Sequence, residues 1–369
     1  MEIRNPAFFE APDFWKTEWD EVNAFLEDLK TDQVWEFGRS QGGRPIRAAA
    51  FGEKEPIKRS NNPYSAAAAG HLEDFFDPDR RSRPVVVVIG PIHGAELEGC
   101  ATCLNFAHLI EQGTDLRGRK WDELRELAHE MRVVIVPIAQ PDGRIRAGVR
   151  HLVGGTPEDV NYYDQGSANG ESLAWEDYLR MNPVPPGRVS YLGGYFNDAG
   201  VNIDLDDFLS LDRAPETSAL MDLVRDETPD CFVVLHGHGP GPWIASPNAL
   251  IPKRCQYHQI QIATLVAERH RREGLRPARK LITEVRQSGY SGTINLPTAL
   301  HYVCGGLPLA FEFPHGIKKF PYTFDEILDI GMTMLEELLR YTMEARYMPR
   351  RPTHNRTTLR EVPEVRLTK

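Results

Sequence analysis

His93 and Glu96 stand three residues apart in Gly90-Pro91-Ile92-His93-Gly94-Ala95-Glu96. An imidazole and a carboxylate are ligands that zinc takes, and a catalytic zinc needs three protein ligands and one open position. The pair therefore asks for a third ligand elsewhere and for a group able to accept a proton. Taken alone, a His-x-x-Glu pair is common by chance and is most simply a surface pair. His236, in Leu235-His236-Gly237-His238, offers a second imidazole directly after an apolar run, as His93 does. His238 is its rival, two residues further into a glycine-rich stretch. His236 is preferred because rigid elements hold metal sites better than loops do. Glu312 lies inside the apolar run Leu309-Ala310-Phe311-Glu312-Phe313. A carboxylate there is costly to bury unless it is paired or in use. Catalysis is the expectation for Glu312, and a buried ion pair is the alternative.

These side chains need strand ends to carry them. Val85-Val86-Val87-Val88-Ile89 is uniformly apolar and rich in β-branched residues, which predicts a strand buried on both faces. It stops at Gly90-Pro91, and ligands of open α/β sheets bind beyond the carboxyl ends of the strands. Similar runs at 133–138, 231–235 and 307–313 predict three more buried strands. Two short strands are expected at 34–37 and 46–51, around a Gly- and Pro-dense turn at 38–46. Amphipathic or apolar stretches predict helices at 13–30, 96–111, 121–131, 215–225, 256–272 and 325–347. Gln140-Pro141-Asp142-Gly143 reads as a turn at a sheet edge.

Strands alternating with helices imply an α/β fold: a single domain with a mixed, largely parallel twisted sheet and helices on both faces. The domain is expected over 1–349. Residues 52–83 are polar and irregular, which predicts a surface excursion. Residues 151–199 form a long irregular stretch, rich in Gly, Asn, Pro and Tyr, expected as a substrate-side loop insertion. Residues 350–369 are expected as a charged, loose tail.

Composition narrows the partners. A formal net charge of −10 with no basic stripe argues against nucleic acid. No apolar run approaches the length of a transmembrane helix, which argues against a membrane. The N-terminus lacks the apolar core of a signal peptide. Five scattered cysteines, at 100, 103, 231, 255 and 304, fit reduced thiols and a cytoplasmic protein better than a disulfide framework. Cys100 and Cys103 fall on the helix expected after Glu96, where core packing is the stronger reading.

Taken in order, these motifs resemble the zinc carboxypeptidase family, the M14 metallopeptidases, over about residues 20–345. The resemblance rests on Gly38-Arg39-Ser40 with Gly43-Arg44-Pro45-Ile46, His93-Gly94-Ala95-Glu96, Pro141-Asp142-Gly143 with Arg150, Gly200-Val201, Leu235-His236 and Phe311-Glu312. It implies that His93, Glu96 and His236 bind one zinc ion and that Glu312 is the general base. It implies that Arg150, or its nearest rival Arg146, polarises the scissile carbonyl. It also implies that Asp204 orients the first zinc histidine from behind, and that Tyr290 is the family's mobile substrate tyrosine, with surface packing as the alternative for Tyr290. The family's Asn-Arg pair, which clamps a substrate's terminal carboxylate, is missing. Asp204-Leu205-Asp206-Asp207-Phe208 stands in its place, and another arginine, such as Arg180, Arg188 or Arg213, is the alternative clamp. Asp206 and Asp207 would repel a carboxylate and attract a cation; the alternative is that they face solvent or cap the next segment.

The function implied is hydrolysis of an amide or peptide bond by a metal-activated water, with a peptide or small amide as substrate. A zinc-dependent deacylase of small N-acyl amino acids is the first alternative. A non-catalytic binding protein on the same fold is the second, and an interaction protein whose His and Glu residues are incidental is the third.

Overall fold

The computed structural model describes residues 8–56, 65, 82–174, 179–245, 247–276 and 294–344. Seven strands form one sheet in the order β1-β2-β4-β3-β8-β10-β9. They are β1 Val34–Arg39, β2 Pro45–Phe51, β3 Val85–Ile89, β4 Arg132–Val136, β8 Cys231–His238, β9 Trp243–Ile244 and β10 Leu307–Pro314. The central pairs β4–β3, β3–β8 and β8–β10 are parallel. The flanking pairs β1–β2, β2–β4 and β10–β9 are antiparallel. The mixed, largely parallel sheet expected from the strand–helix alternation is therefore present.

Side chains of a strand point alternately to the two faces of its sheet, and here both faces are apolar and covered. Val86, Val88, Val133, Ile135, Val233, Leu235, Leu309 and Phe311 share one core with Phe106, Ile262, Ile327 and Leu335 of the helices Glu98–Gln112, Lys253–Arg272 and Phe324–Glu344. Val85, Val87, Ile89, Val134, Phe232 and Val234 share the other with Leu220 and Leu300 of the helices Pro215–Glu227 and Leu296–Cys304. Burial on both sides is why these strands read as unbroken apolar runs rather than as alternating ones.

Three expectations need correction. Pro141-Asp142-Gly143 is not a turn but the start of the helix Pro141–Ala147, with proline in its first turn and the Gln140 side chain accepting from the Gly143 N–H. Such a cap makes four turn-type residues compatible with a helix start. The helix Leu296–Cys304 was not expected from the pattern; Asn295 caps it through the Thr298 N–H. The stretch 151–199 is largely structured. It holds the helix Pro157–Gln165, with a reciprocal Thr156–Asp159 cap, and a small antiparallel sheet of β5 Gly166–Ala168, β6 Glu171–Ser172 and β7 Tyr191–Leu192. Most of the 52–83 excursion and all of the 350–369 tail lie outside the described residues.

Candidate metal centre

Parallel register brings the first two site residues together. His236 on β8 pairs with Glu312 on β10. Both fall on the face opposite Leu235 and Phe311, so their side chains emerge side by side. β3 runs beside β8 with Ile89 opposite Val234, and the segment after β3 carries His93 and Glu96 to the same sheet end. The Nδ1 atom of His93 lies 2.8 Å from Oε1 of Glu96, and Nδ1 of His236 lies 3.2 Å from Oε2. One ligand atom from each of the three residues falls within 4.8 Å of the others. All three side chains are buried.

The set fits a zinc ion chemically. His93 turns Nδ1 toward Glu96 while its Nε2 meets the side-chain oxygen of Asn202 at 3.2 Å. An amide oxygen only accepts, so Nε2 carries the proton and Nδ1 is left as a metal-type donor. Two imidazole nitrogens and one carboxylate leave one tetrahedral position open, the arrangement of catalytic zinc sites.

The electrostatics point the same way. Burial raises the proton affinity of Glu96, but the two imidazoles outweigh it and hold the carboxyl well below its usual range. Burial disfavours a charged His236, yet Glu96, then Glu312 and Asp204, push it up to about 10. The pocket thus stabilises a positive charge between these groups, the place a divalent cation would take. Burial pushes Glu312 up to about 8, with His236 opposing and Glu96 reinforcing. A carboxylate with proton affinity near neutrality is suited to accept and return a proton.

The other expected residues fare differently. His238 ends β8 with its ring against Trp243, at 4.8 Å between centroids, and it is His236 that meets Glu96. Asn202, two residues before Asp204, meets Nε2 of His93, and its oxygen also accepts the Asp204 N–H at 3.0 Å. Asp204 is buried and acts on His236 and His93 through its charge. The position after Gly200-Val201 was the available signal for Asn202.

Arg150 is corrected as well. Its guanidinium pairs with Glu21 at 2.7 Å on the helix Trp19–Asp28, and its carbonyl accepts from Trp15 and Thr17. Arg146 is bound by the carbonyls of Leu192, Gly193 and Phe196 and by Asp198. Arg144 is buried and donates to the carbonyls of Thr17, Gly94 and Val149. These three arginines fasten segments together. Asp206 caps the approach to the helix Pro215–Glu227, accepting from the Ala214 and Asp207 N–H groups, and Asp207 is exposed. The alternative of capping and solvent exposure therefore describes this pair. Tyr290 lies outside the described residues.

Two further features hold the site's frame. The Asp142 carboxylate accepts from Ser40 Oγ at 2.5 Å, the Gly42 N–H at 2.9 Å, Arg44 at 2.7 Å and the Asp198 N–H at 3.1 Å. Burial raises its pKa, but these donors hold it below the ordinary value. The Gly38–Ile46 motif thus braces the segment that follows β4. At a second junction, a Cβ on Gly94 would fall 2.0 Å from the Gly143 carbonyl carbon, and one on Gly143 would fall 2.2 Å from the Gly194 oxygen. Backbones meet there that no side chain could separate, which joins the 151–199 insert to the His93 loop. The same insert stacks Tyr195 on His93, with ring centroids 3.9 Å apart.

Comparison with known proteins finds likeness in one family and one fold. The zinc carboxypeptidase family model matches residues 22–172, a span that includes His93 and Glu96 and stops short of His236 and Glu312. No curated protein matches the chain. A metallo-carboxypeptidase from Burkholderia cenocepacia superposes with a TM-score of 0.54 at 17% identity, over 88% of this chain and 69% of that one. One from Pseudomonas aeruginosa, in complex with (2-guanidinoethylmercapto)succinic acid, superposes at 0.53 and 15% identity, over 89% and 70%. The carboxypeptidase A of Helicoverpa armigera superposes at 0.54 and 17% identity, over 90% and 74%. Among the described residues, no helix is long and apolar enough to cross a membrane. The chain resembles the zinc carboxypeptidases in sequence over residues 22–172 and shares their fold over most of its length.

Proposed function

We propose that the chain is a zinc-dependent hydrolase that cleaves an amide or peptide bond with a water activated at the His93–Glu96–His236 centre. The observation that carries this reading is the convergence of those three residues at one sheet end with Glu312 in register beside His236. A zinc ion held there would lower the pKa of a bound water and polarise the carbonyl. Glu312 accepts the proton of the attacking water and returns it to the leaving nitrogen. Asn202 keeps His93 in the tautomer that presents Nδ1, and Tyr195 covers the outer face of its ring. The 151–199 insert forms the substrate-side wall of a domain that spans 1–349.

A specific observation favours a substrate without a free terminal carboxylate. The clamp arginine has no counterpart in 204–208, and Arg144, Arg146 and Arg150 are engaged by backbone carbonyls or by Asp198 and Glu21. A blocked peptide or a small N-acyl compound suits such a site better than a peptide with a free C-terminus.

The test combines metal analysis with one substitution. The purified protein is expected to take up about one zinc per chain. Glu312→Gln, which keeps shape and removes the proton acceptor, is expected to retain that zinc while turnover falls by roughly a hundredfold or more. An unchanged rate in Glu312→Gln would return Glu312 to a structural role. Profiling with peptides of free and blocked C-termini then separates the two substrate classes.

A further inference from the structure

His93 is gripped by one loop. Its ring lies on Tyr195, with centroids 3.9 Å apart, and its Nε2 lies 3.2 Å from Asn202 Oδ1. Tyr195 and Asn202 stand at the two ends of that loop, which a bridge between Phe196 and Asn202 closes. Inside it, the Asn197 N–H donates to the Val201 carbonyl, and Asn197 Oδ1 accepts from the Ala199 and Val201 N–H groups. Asn197 is buried, and its Nδ2 donates to Glu216 on the helix Pro215–Glu227 at 3.1 Å.

The orientation of Asn202 follows from its neighbours. The Asp204 N–H meets Oδ1 at 3.0 Å. A backbone N–H only donates, so the amide atom it meets is the oxygen. The same oxygen faces His93, so the place of Asn202 sets how that ring is held.

A second asparagine sets the place of Asn202. Asn182 belongs to the 151–199 insert. Its Oδ1 accepts from the Asn202 N–H at 2.8 Å, and its Nδ2 donates to the carbonyls of Asn202 at 3.2 Å and Leu205 at 2.8 Å. Three hydrogen bonds from one side chain thus tie both ends of the 3-10 turn Ile203–Leu205. The backbone beside Asn182 closes on the same loop. The Val184 N–H donates to the Gly200 carbonyl at 2.7 Å. Gly200 has a φ of 77°, and a Cβ on it would fall 2.6 Å from the Val184 oxygen. Val184 also shares a small apolar cluster with Tyr195 and Phe196, against which Leu179 and Met181 pack.

We propose that Asn182 is a positioning residue of the metal centre: through Asn202 it holds the His93 ring with Nδ1 toward Glu96, where a metal ion would sit. The inference rests on the zinc site of the hydrolase reading. It adds that the geometry of one ligand depends on the insert, a stretch that supplies no ligand itself.

The test is the zinc affinity of the purified full chain, measured by chelator competition. Groups directly behind a ligand are worth roughly 10–100-fold in metal affinity. Asn182 stands one step further out, so Asn182→Ala is expected to weaken zinc binding by about fivefold to tenfold. In an Asn202→Ala background the same substitution is expected to change the affinity by less than about twofold, because residues in one hydrogen-bond network do not add. Melts of the metal-free variants are recorded alongside. A role confined to stability would lower the melting temperature and leave the affinity of the folded chain unchanged. Unchanged affinity in Asn182→Ala, or the full loss persisting when Asn202 is already alanine, overturns the proposal. Asn182→Ser, which shortens the side chain and leaves a polar group, provides the result should Asn182→Ala fail to fold. A chain that takes up no zinc with Asn182 intact overturns the hydrolase reading and this inference together; zinc uptake that ignores Asn182 overturns this inference alone.

Discussion

The ends of the central strands and the 151–199 insert reach the same site by opposite routes. His236 and Glu312 sit on β8 and β10, and the parallel register of two buried strands sets their spacing. Each strand is apolar on both faces, so its place in the sheet follows from burial alone. The insert instead reaches the site through local devices: a capped helix, a two-residue-wide sheet and glycine junctions at Gly94, Gly143 and Gly194. It contributes Tyr195 against His93 and Asp164 toward His315. The contrast shows how a stretch without a periodic pattern can still carry regular structure and reach the candidate site. Its order comes from backbone contacts that leave no periodic trace.

The sharpest way to break the comparison is to remove a strand-borne ligand. His236→Ala should release zinc, with a loss of affinity exceeding the 10–100-fold typical of residues behind the ligands. Metal analysis after dialysis reads it. Full retention would show that β8 does not carry the centre.

A smaller effect is expected behind the ligands. Asn202→Ala removes the oxygen facing His93 Nε2 and should weaken zinc binding by roughly 10–100-fold, measured by chelator competition. If Asp204→Asn weakens it more than Asn202→Ala does, Asp204 is the stronger support after all.

Metal-free protein should lose stability with rising pH. His236 and His315 are raised to about 10 and about 9, and Glu312 to about 8. In all three the folded state favours the protonated form. For the histidines the contribution is complete below about 6.5 and is lost as pH rises through 9 to 10. For Glu312 the loss begins at lower pH and is complete above about 8. Thermal melts of the metal-free chain should therefore fall from pH 6.5 to 10. Bound zinc, which takes the place of the His236 proton, should flatten the decline. A melting temperature that rises over that window would refute the assignment of these charges.

The smallest effect belongs to Arg150. Its contact with Glu21 is partly exposed, with side-chain exposures of 39% and 27%. Arg150→Ala should change stability by about 1 kcal/mol or less and leave turnover within a few-fold of the unsubstituted chain. A loss of several hundredfold in kcat would restore it to the site.

Much of the fold, and the side chains that converge as candidate metal ligands, was legible in the sequence. Val85–Ile89 could be read as a buried strand because every residue in it is apolar, and His93, Glu96, His236 and Glu312 stand where such runs end. Burial is written into residue type, so these positions needed no knowledge of neighbours. The pairing of charges was not legible in this way. Arg150 and Glu21 lie far apart in sequence, as do His315, Glu98 and Asp164. A charged side chain looks the same in sequence whether it faces a substrate, a carboxylate or water. The meeting of the Asn202 oxygen with His93 was decided by the turn that opens one short 3-10 segment, Ile203–Leu205. Hydrophobic pattern therefore set the strands and the residues at their ends. Only the folded chain decided which polar atoms meet, because a hydrogen bond depends on distance and direction that no single residue type encodes.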